Sequence, residues 1–180
     1  MTPDPPCEEI AIRVHGLAQL FSPYDPSPLA EKDLASGAEA HILEWARELP
    51  RRAALAIAVE LPAEEARRPE AREIGAAIAN YFAARALAHA AELRELFRVG
   101  RLSLLIGLAA LLVCLAASQV LAPLIPYPAL SRAGEESLLL LGWVANWRPL
   151  EIYLYEWWPI RRRRLLCERL ARARVTVRAS

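Results

Sequence analysis

The sequence predicts a small cytoplasmic α/β module joined to a two-helix transmembrane hairpin. Three observations predict it. Residues 102–122 form an uncharged apolar run of 21. Short segments near residues 10–14, 55–59 and 174–178 alternate apolar with polar or small residues. Arginines crowd both outer flanks of the apolar region and avoid its connector.

The module comes first. Ile10, Ile12 and Val14 alternate with Ala11, Arg13 and His15, the period-2 pattern of a half-buried strand. Leu55, Ile57 and Val59 repeat it against alanines and Glu60. Between them Ala38, Ile42, Trp45 and Leu49 line one helical face, with Ser36 and Glu39 in capping-box spacing and Pro50 as the stop. Strand, helix, strand at these lengths predicts a right-handed βαβ crossover. A long helix then starts near Pro69, with Ile74, Ile78, Phe82, Ala86, Ala90, Leu93 and Phe97 as its apolar stripe and Gly100 as a candidate hinge. Val175 and Val177, alternating with Arg174, Thr176 and Arg178, predict a third strand returning to the same sheet. The organisation expected is a module over 1–100, a hairpin over 101–160, and a tail over 161–180.

The first span is expected at about 102–122, since 21 residues at 1.5 Å rise cover roughly 30 Å, the hydrocarbon thickness of a bilayer. A soluble chain of this size has too little remaining mass to cover such a helix on every side. The second span, about 137–158, is less clean: it carries Asn146, Arg148, Pro149, Glu151 and Glu156. The flanks decide in its favour. Arg94, Arg98 and Arg101 precede the first span and Arg161 to Arg164 follow the second, against Arg132 alone in the connector. Seven arginines to one puts both outer flanks, and both termini, in the cytoplasm. Trp157 and Trp158 fall where an interfacial aromatic belt is expected.

Composition excludes several classes of function. The net charge of +1 gives no bias toward nucleic acid. A single lysine, Lys32, among arginine, alanine, leucine and proline suggests a GC-rich bacterial genome. Cys7, Cys114 and Cys167 have no paired spacing, which argues against a disulfide framework or structural zinc. His41 with Glu44 and His89 with Glu92 are i, i+3 pairs without a second cluster, and His15 stands on a strand's outward face. The acidic, proline-rich start is not read as a signal peptide. No phosphate loop or nucleophile elbow is present, so the expectation is no enzyme and no cofactor.

Three sets of residues remain as functional candidates. Arg148 and Glu151, at i, i+3, are expected near the bilayer midplane and level with Leu112 to Cys114, where charges need a partner or a water-filled cavity. Pro149 is expected to free a carbonyl beside them. The pair admits three roles: a buried structural ion pair, a contact to another subunit, or part of an ion or proton path. Ser103, Gly107, Ala110, Cys114 and Ser118 form a narrow face of small residues suited to close helix packing, against the second span or a second copy. Phe21, Tyr24, Asp25 and Ser27 lie in a proline-stiffened loop that suits either binding or covering the sheet edge.

Two stretches carry a resemblance. The first is Leu20-Phe21, then Asp25-Pro26-Ser27-Pro28 and Glu31-Lys32-Asp33-Leu34. The second is Gly142-Trp143-Val144, Trp147-Arg148-Pro149, Glu151, Tyr155 and Trp157-Trp158-Pro159. On these the chain resembles a family of small, uncharacterised bacterial membrane proteins of two spans. That resemblance implies the topology and brings no reaction, ligand or partner. The expected role is therefore a non-enzymatic inner-membrane protein that presents a cytoplasmic interaction module, with the lipid bilayer and a second copy or another membrane protein as partners. A small oligomeric transport or channel component using Arg148 and Glu151 is the alternative.

Overall fold

Strands β1 (Cys7–Arg13), β2 (Ala54–Leu61) and β3 (Arg174–Ala179) form a parallel sheet in the order β1-β2-β3 in the computed structural model, which describes residues 7–50 and 53–179. The register sets Ile10 beside Ile57 and Ile57 beside Val175, so one aliphatic row crosses all three strands. The strands follow one another across the sheet without a reversal of direction. With right-handed crossovers, such an order brings every connecting helix to the same face.

The core agrees with that rule. Helices α1 (Leu17–Leu20), α2 (Ser36–Glu48) and α3 (Ala63–Ala66) precede the long α4 (Ile74–Leu121). Helices α5 (Pro128–Val144), α6 (Trp147–Glu151) and α7 (Trp157–Ala171) follow it, with a π-helical turn over Ile152–Glu156 between the last two. Ile10, Ile12, Leu55, Ile57, Val59 and Leu61 share one core with Ile42 and Ala46 of α2, Ile74, Ile78 and Phe82 of α4, and Cys167 and Leu170 of α7. The other face of the sheet carries Glu9, Ala11, Arg13, Ala56, Ala58 and Glu60. Arg13 reaches Glu60 at 2.8 Å, and Arg178 reaches Glu9 at 2.7 Å.

Polar ties hold the helices in place on the sheet. Arg85 of α4 donates to the Tyr81 hydroxyl (3.1 Å) and to Glu39 of α2 (3.0 Å). Burial pushes the Tyr81 phenol up to about 12, so it stays neutral and available as an acceptor. Arg169 of α7 donates to the carbonyls of Pro50 and Ala53 (2.9 and 3.0 Å), anchoring the chain just ahead of β2.

Several local expectations are corrected. Trp45 is half exposed and stacks on His41 at 5.8 Å, while the smaller Ala46 takes the buried position of α2. Ser36 sits inside the first turn of α2, where no side chain caps the helix; Ala35 precedes it and fixes the approach by donating its N–H to Leu20. Gly100 is not a hinge, since α4 runs unbroken through it. Its missing side chain is needed for contact, because a Cβ there would lie 2.9 Å from Ile152.

The second apolar segment is not one continuous helix over 137–158. α5 starts earlier, at Pro128, and ends at Val144 in a turn; α6 begins at Trp147. Pro149 then falls in the first turn of α6, where backbone N–H groups lack intrahelical partners in any case. The break at Ala145-Asn146 removes the expectation that Pro149 frees a mid-helix carbonyl. Among the described residues one helix, α4, is long and apolar enough to cross a membrane.

The chain divides into two compact units, one drawn from 1–89 with 162–180 and the other from 90–161. In the first, Phe82 is fully buried and Leu87, one turn on, is 70% exposed. Phe82→Ala should cost about 3–5 kcal/mol of module stability by leaving a core cavity. Leu87→Ala should cost little. Thermal unfolding of the two variants in detergent, followed by protease susceptibility of the module, checks this; equal losses would mean the core is misplaced.

Candidate functional site

The second unit is organised by the small residues of α4. Contacts between α4 and the following segment run antiparallel: Phe97 meets Tyr153 (6.0 Å between rings), Gly100 faces Ile152, Gly107 faces Ala145 and Asn146, and Leu111 with Cys114 faces Gly142. Of the small-residue face, Gly107 is buried, and Ser103, Ala110, Cys114 and Ser118 are half-buried. Leu104, Leu105, Ile106 and Leu108 between them are exposed. At Gly107 and Cys114 the partner of this face is thus the chain's own returning segment. Ser118 turns its hydroxyl back to the Leu115 carbonyl (2.8 Å).

Two glycines allow the closest approach. A Cβ on Gly107 would stand 2.8 Å from the Asn146 amide oxygen and 2.9 Å from the Ala145 carbonyl oxygen. A Cβ on Gly142 would stand 3.1 Å from the Leu111 Cα. Asn146 uses this proximity: its Nδ2 donates to the Gly107 and Gly142 carbonyls, both at 3.0 Å. One side chain thereby bridges both helices exactly where the second one breaks. In the sequence Asn146 is only one of several polar residues in the second apolar segment, and its role shows once Gly107 is placed opposite it.

Arg148 heads a three-residue charge cluster. It grips Glu156 through both terminal nitrogens, Nη1 to Oε1 and Nη2 to Oε2 (3.3 Å), and touches Glu151 more loosely at 3.4 Å. The other oxygen of Glu151 accepts from the Trp147 indole at 2.9 Å. The expected pair with Glu151 is therefore present as the weaker arm, and Glu156 is the principal partner. In an unbroken α-helix, position i+8 lies about 80° around and about 12 Å along. The π-helical turn at Ile152–Glu156 adds one residue to a turn and swings Glu156 to within about 20° of Arg148. Sequence spacing read with a 3.6 period could not find that contact.

The level of the cluster is also corrected. The stretch at Leu111 to Cys114 faces Gly142, and Arg148 lies between the levels of Gly107 and Gly100. That is roughly 10 Å along α4 from where antiparallel matching of two equal spans put it. The displacement follows from the early start of α5, which lengthens the returning helix on the connector side. The side chains of Arg148, Glu151 and Glu156 are 56%, 42% and 33% exposed.

The loop candidates separate. Phe21 is buried and pairs its backbone with Leu34, whereas Tyr24 is 93% exposed at the tip. Asp25 ties the loop together, accepting from the backbone N–H groups of Ser27 (3.0 Å) and Asp33 (2.8 Å). The Asp33 bond, then the Ser27 bonds, hold its carboxyl below the usual range, so it is ionised at neutral pH. Ser27 contributes backbone, and Asn80 of α4 fastens the loop further by donating to the Ala30 carbonyl (2.9 Å). The loop is thus tied down at both ends and leaves one aromatic ring outside.

Among the described residues no three His, Cys, Asp or Glu side chains gather as a metal site. Burial pushes the Cys167 thiol up, which disfavours the thiolate that nucleophilic or ligand chemistry needs. The chain matches no family model, no curated protein and no solved structure.

Two outcomes test this geometry. Gly107→Ala should lower the thermal midpoint of the detergent-purified chain, at a cost of about 1–3 kcal/mol typical of overpacking, because the obstacle is partly backbone. Ser103→Ala should be close to neutral; the reverse order would place the contact elsewhere. In the charge cluster, Glu156→Gln should destabilise more than Glu151→Gln. Equal effects, or a larger one at Glu151, would mean the π-helical turn does not set the partner.

Proposed function

We propose that the chain is a two-span bacterial inner-membrane protein, non-enzymatic, which holds a cytoplasmic α/β interaction module at the membrane surface. The observation that carries this reading is the parallel pairing of β2 with β3. These strands flank the entire apolar segment. Because they are neighbours in one sheet, the chain that leaves after β2 must come back to the same side before β3. On this reading α4, the helix long and apolar enough to cross, is matched by a second crossing in return.

The returning segment is supported as that crossing by its antiparallel contacts with α4. Asn146, its most polar residue at depth, spends its donors on helix carbonyls, as polar groups in lipid must. The cluster at Arg148 sits toward the arginine-flanked end, and the reach of Arg148 to Glu156 carries its charge further that way, in the manner of a snorkelling side chain. A transport role for Arg148 and Glu151 would be favoured by further charges at successive depths, and residues 102–122 of the facing helix carry none. The tether reading accounts for both facts.

Compartment reporters fused after Ser180 and inserted at Ala133 should give opposite signals, cytoplasmic for the first and external for the second. Identical signals at the two sites would defeat the two-span arrangement.

A further inference from the structure

We infer that the start of α7, at Trp157, Trp158 and Arg161, is a binding site for the phosphate of anionic phospholipid headgroups; this rests on the two-span reading above. Four observations carry it. Trp157 and Trp158 stack with ring centroids 5.0 Å apart, and Trp158 is half exposed. The Trp157 indole donates to the Tyr153 carbonyl at 2.9 Å, which fixes the ring against the π-helical turn. Arg161 lies over that ring with its guanidinium carbon 5.7 Å from the centroid. The only acids between residues 148 and 161, Glu151 and Glu156, are both engaged by Arg148.

The chemistry follows from the shape of the guanidinium. A cation–π contact at this distance occupies none of the guanidinium's N–H donors, and these in their planar fork match two phosphate oxygens. Tryptophan pairs place themselves at the boundary of headgroups and acyl chains, so the cation above them is held at phosphate depth. Within this unit Arg161 takes no carboxylate among the described residues, which suits it to an oxyanion supplied from outside. Further along the same helix, Arg164 is already paired with Glu168 at 2.8 Å. A lipid is favoured over a protein carboxylate as that oxyanion because the neighbouring exposed side chains, Leu154, Tyr155 and Trp158, suit acyl chain and interface.

The test uses the full chain, purified in detergent, stripped of lipid and offered an equimolar mixture of phosphatidylglycerol and phosphatidylcholine. Bound lipid is then counted by native mass spectrometry. The unmodified chain should retain phosphatidylglycerol preferentially. Arg161→Gln should reduce that preference by about fivefold, the share expected of one surface arginine near anionic lipid. Trp157→Leu should reduce it as well, and Arg132→Gln in the connector should leave it unchanged. Equal retention of the two lipids, or a preference untouched by Arg161→Gln, overturns the site. Displacement of the bound lipid by glycerol phosphate at equal concentration also overturns it, because the site would then read a free phosphate. Flotation with phosphatidylcholine vesicles separates the two levels of failure. A chain that floats without preferring phosphatidylglycerol loses only the headgroup site, and one that does not float loses the membrane reading itself.

Discussion

Everything in this protein is constrained by the pairing of β2 with β3. It joins strands separated by the whole apolar segment, and so closes the longest loop in the chain. Loop-closure entropy grows only logarithmically with length, and a helical segment is far from a random coil, so a few ladder bonds and the Ile57 and Val59 rows can hold it. Arg169, bonded to the carbonyls of Pro50 and Ala53, reinforces the same closure from α7. With the ends joined, the direction of α4 fixes where the return must arrive.

Strand order then explains the distribution of charge on the module. A parallel sheet wound in a single direction receives helices on one face only, whereas most parallel sheets bury both. The open face here is made of alanines and cross-strand ion pairs, Arg13 with Glu60 and Arg178 with Glu9. Exposed pairs of this kind contribute little stability individually. Their effect is on sociability: the Arg178–Glu9 pair reaches from β3 to β1 across β2, where Ala58 is fully buried, and such charges discourage indiscriminate sheet stacking.

The module was largely legible in the sequence. The three alternating strands and the apolar stripe from Ile74 to Ala86 are patterns with a fixed period, and the structure forms a three-stranded parallel sheet with α4 across it. The second apolar segment was harder to read because its geometry departs from that period twice. A break at Asn146 and a π-helical turn after Ile152 reset the helical phase, so Glu156 faces Arg148 although spacing alone denies it. The level of Arg148 was misjudged for a related reason. It depends on where α5 starts, and Pro128, a favourable first-turn residue, opens that helix within what the sequence offers as connector. The Asp25 loop lies between these cases: its prolines announced rigidity, and only the distant Asp33 amide showed what the carboxylate holds.

The place of β3 at the far end of the helical segment has a consequence in time. During synthesis β2 and its helices emerge long before Arg174, so one side of β2 waits without its neighbour. At about 5–20 residues per second that interval is on the order of ten seconds. On the two-span reading, insertion into the bilayer falls within it. The sheet can therefore be finished only by a chain whose helical segment has already turned back. Until that return is made, β2 keeps one edge unpaired, and the pairing with β3 is the last step of the sheet.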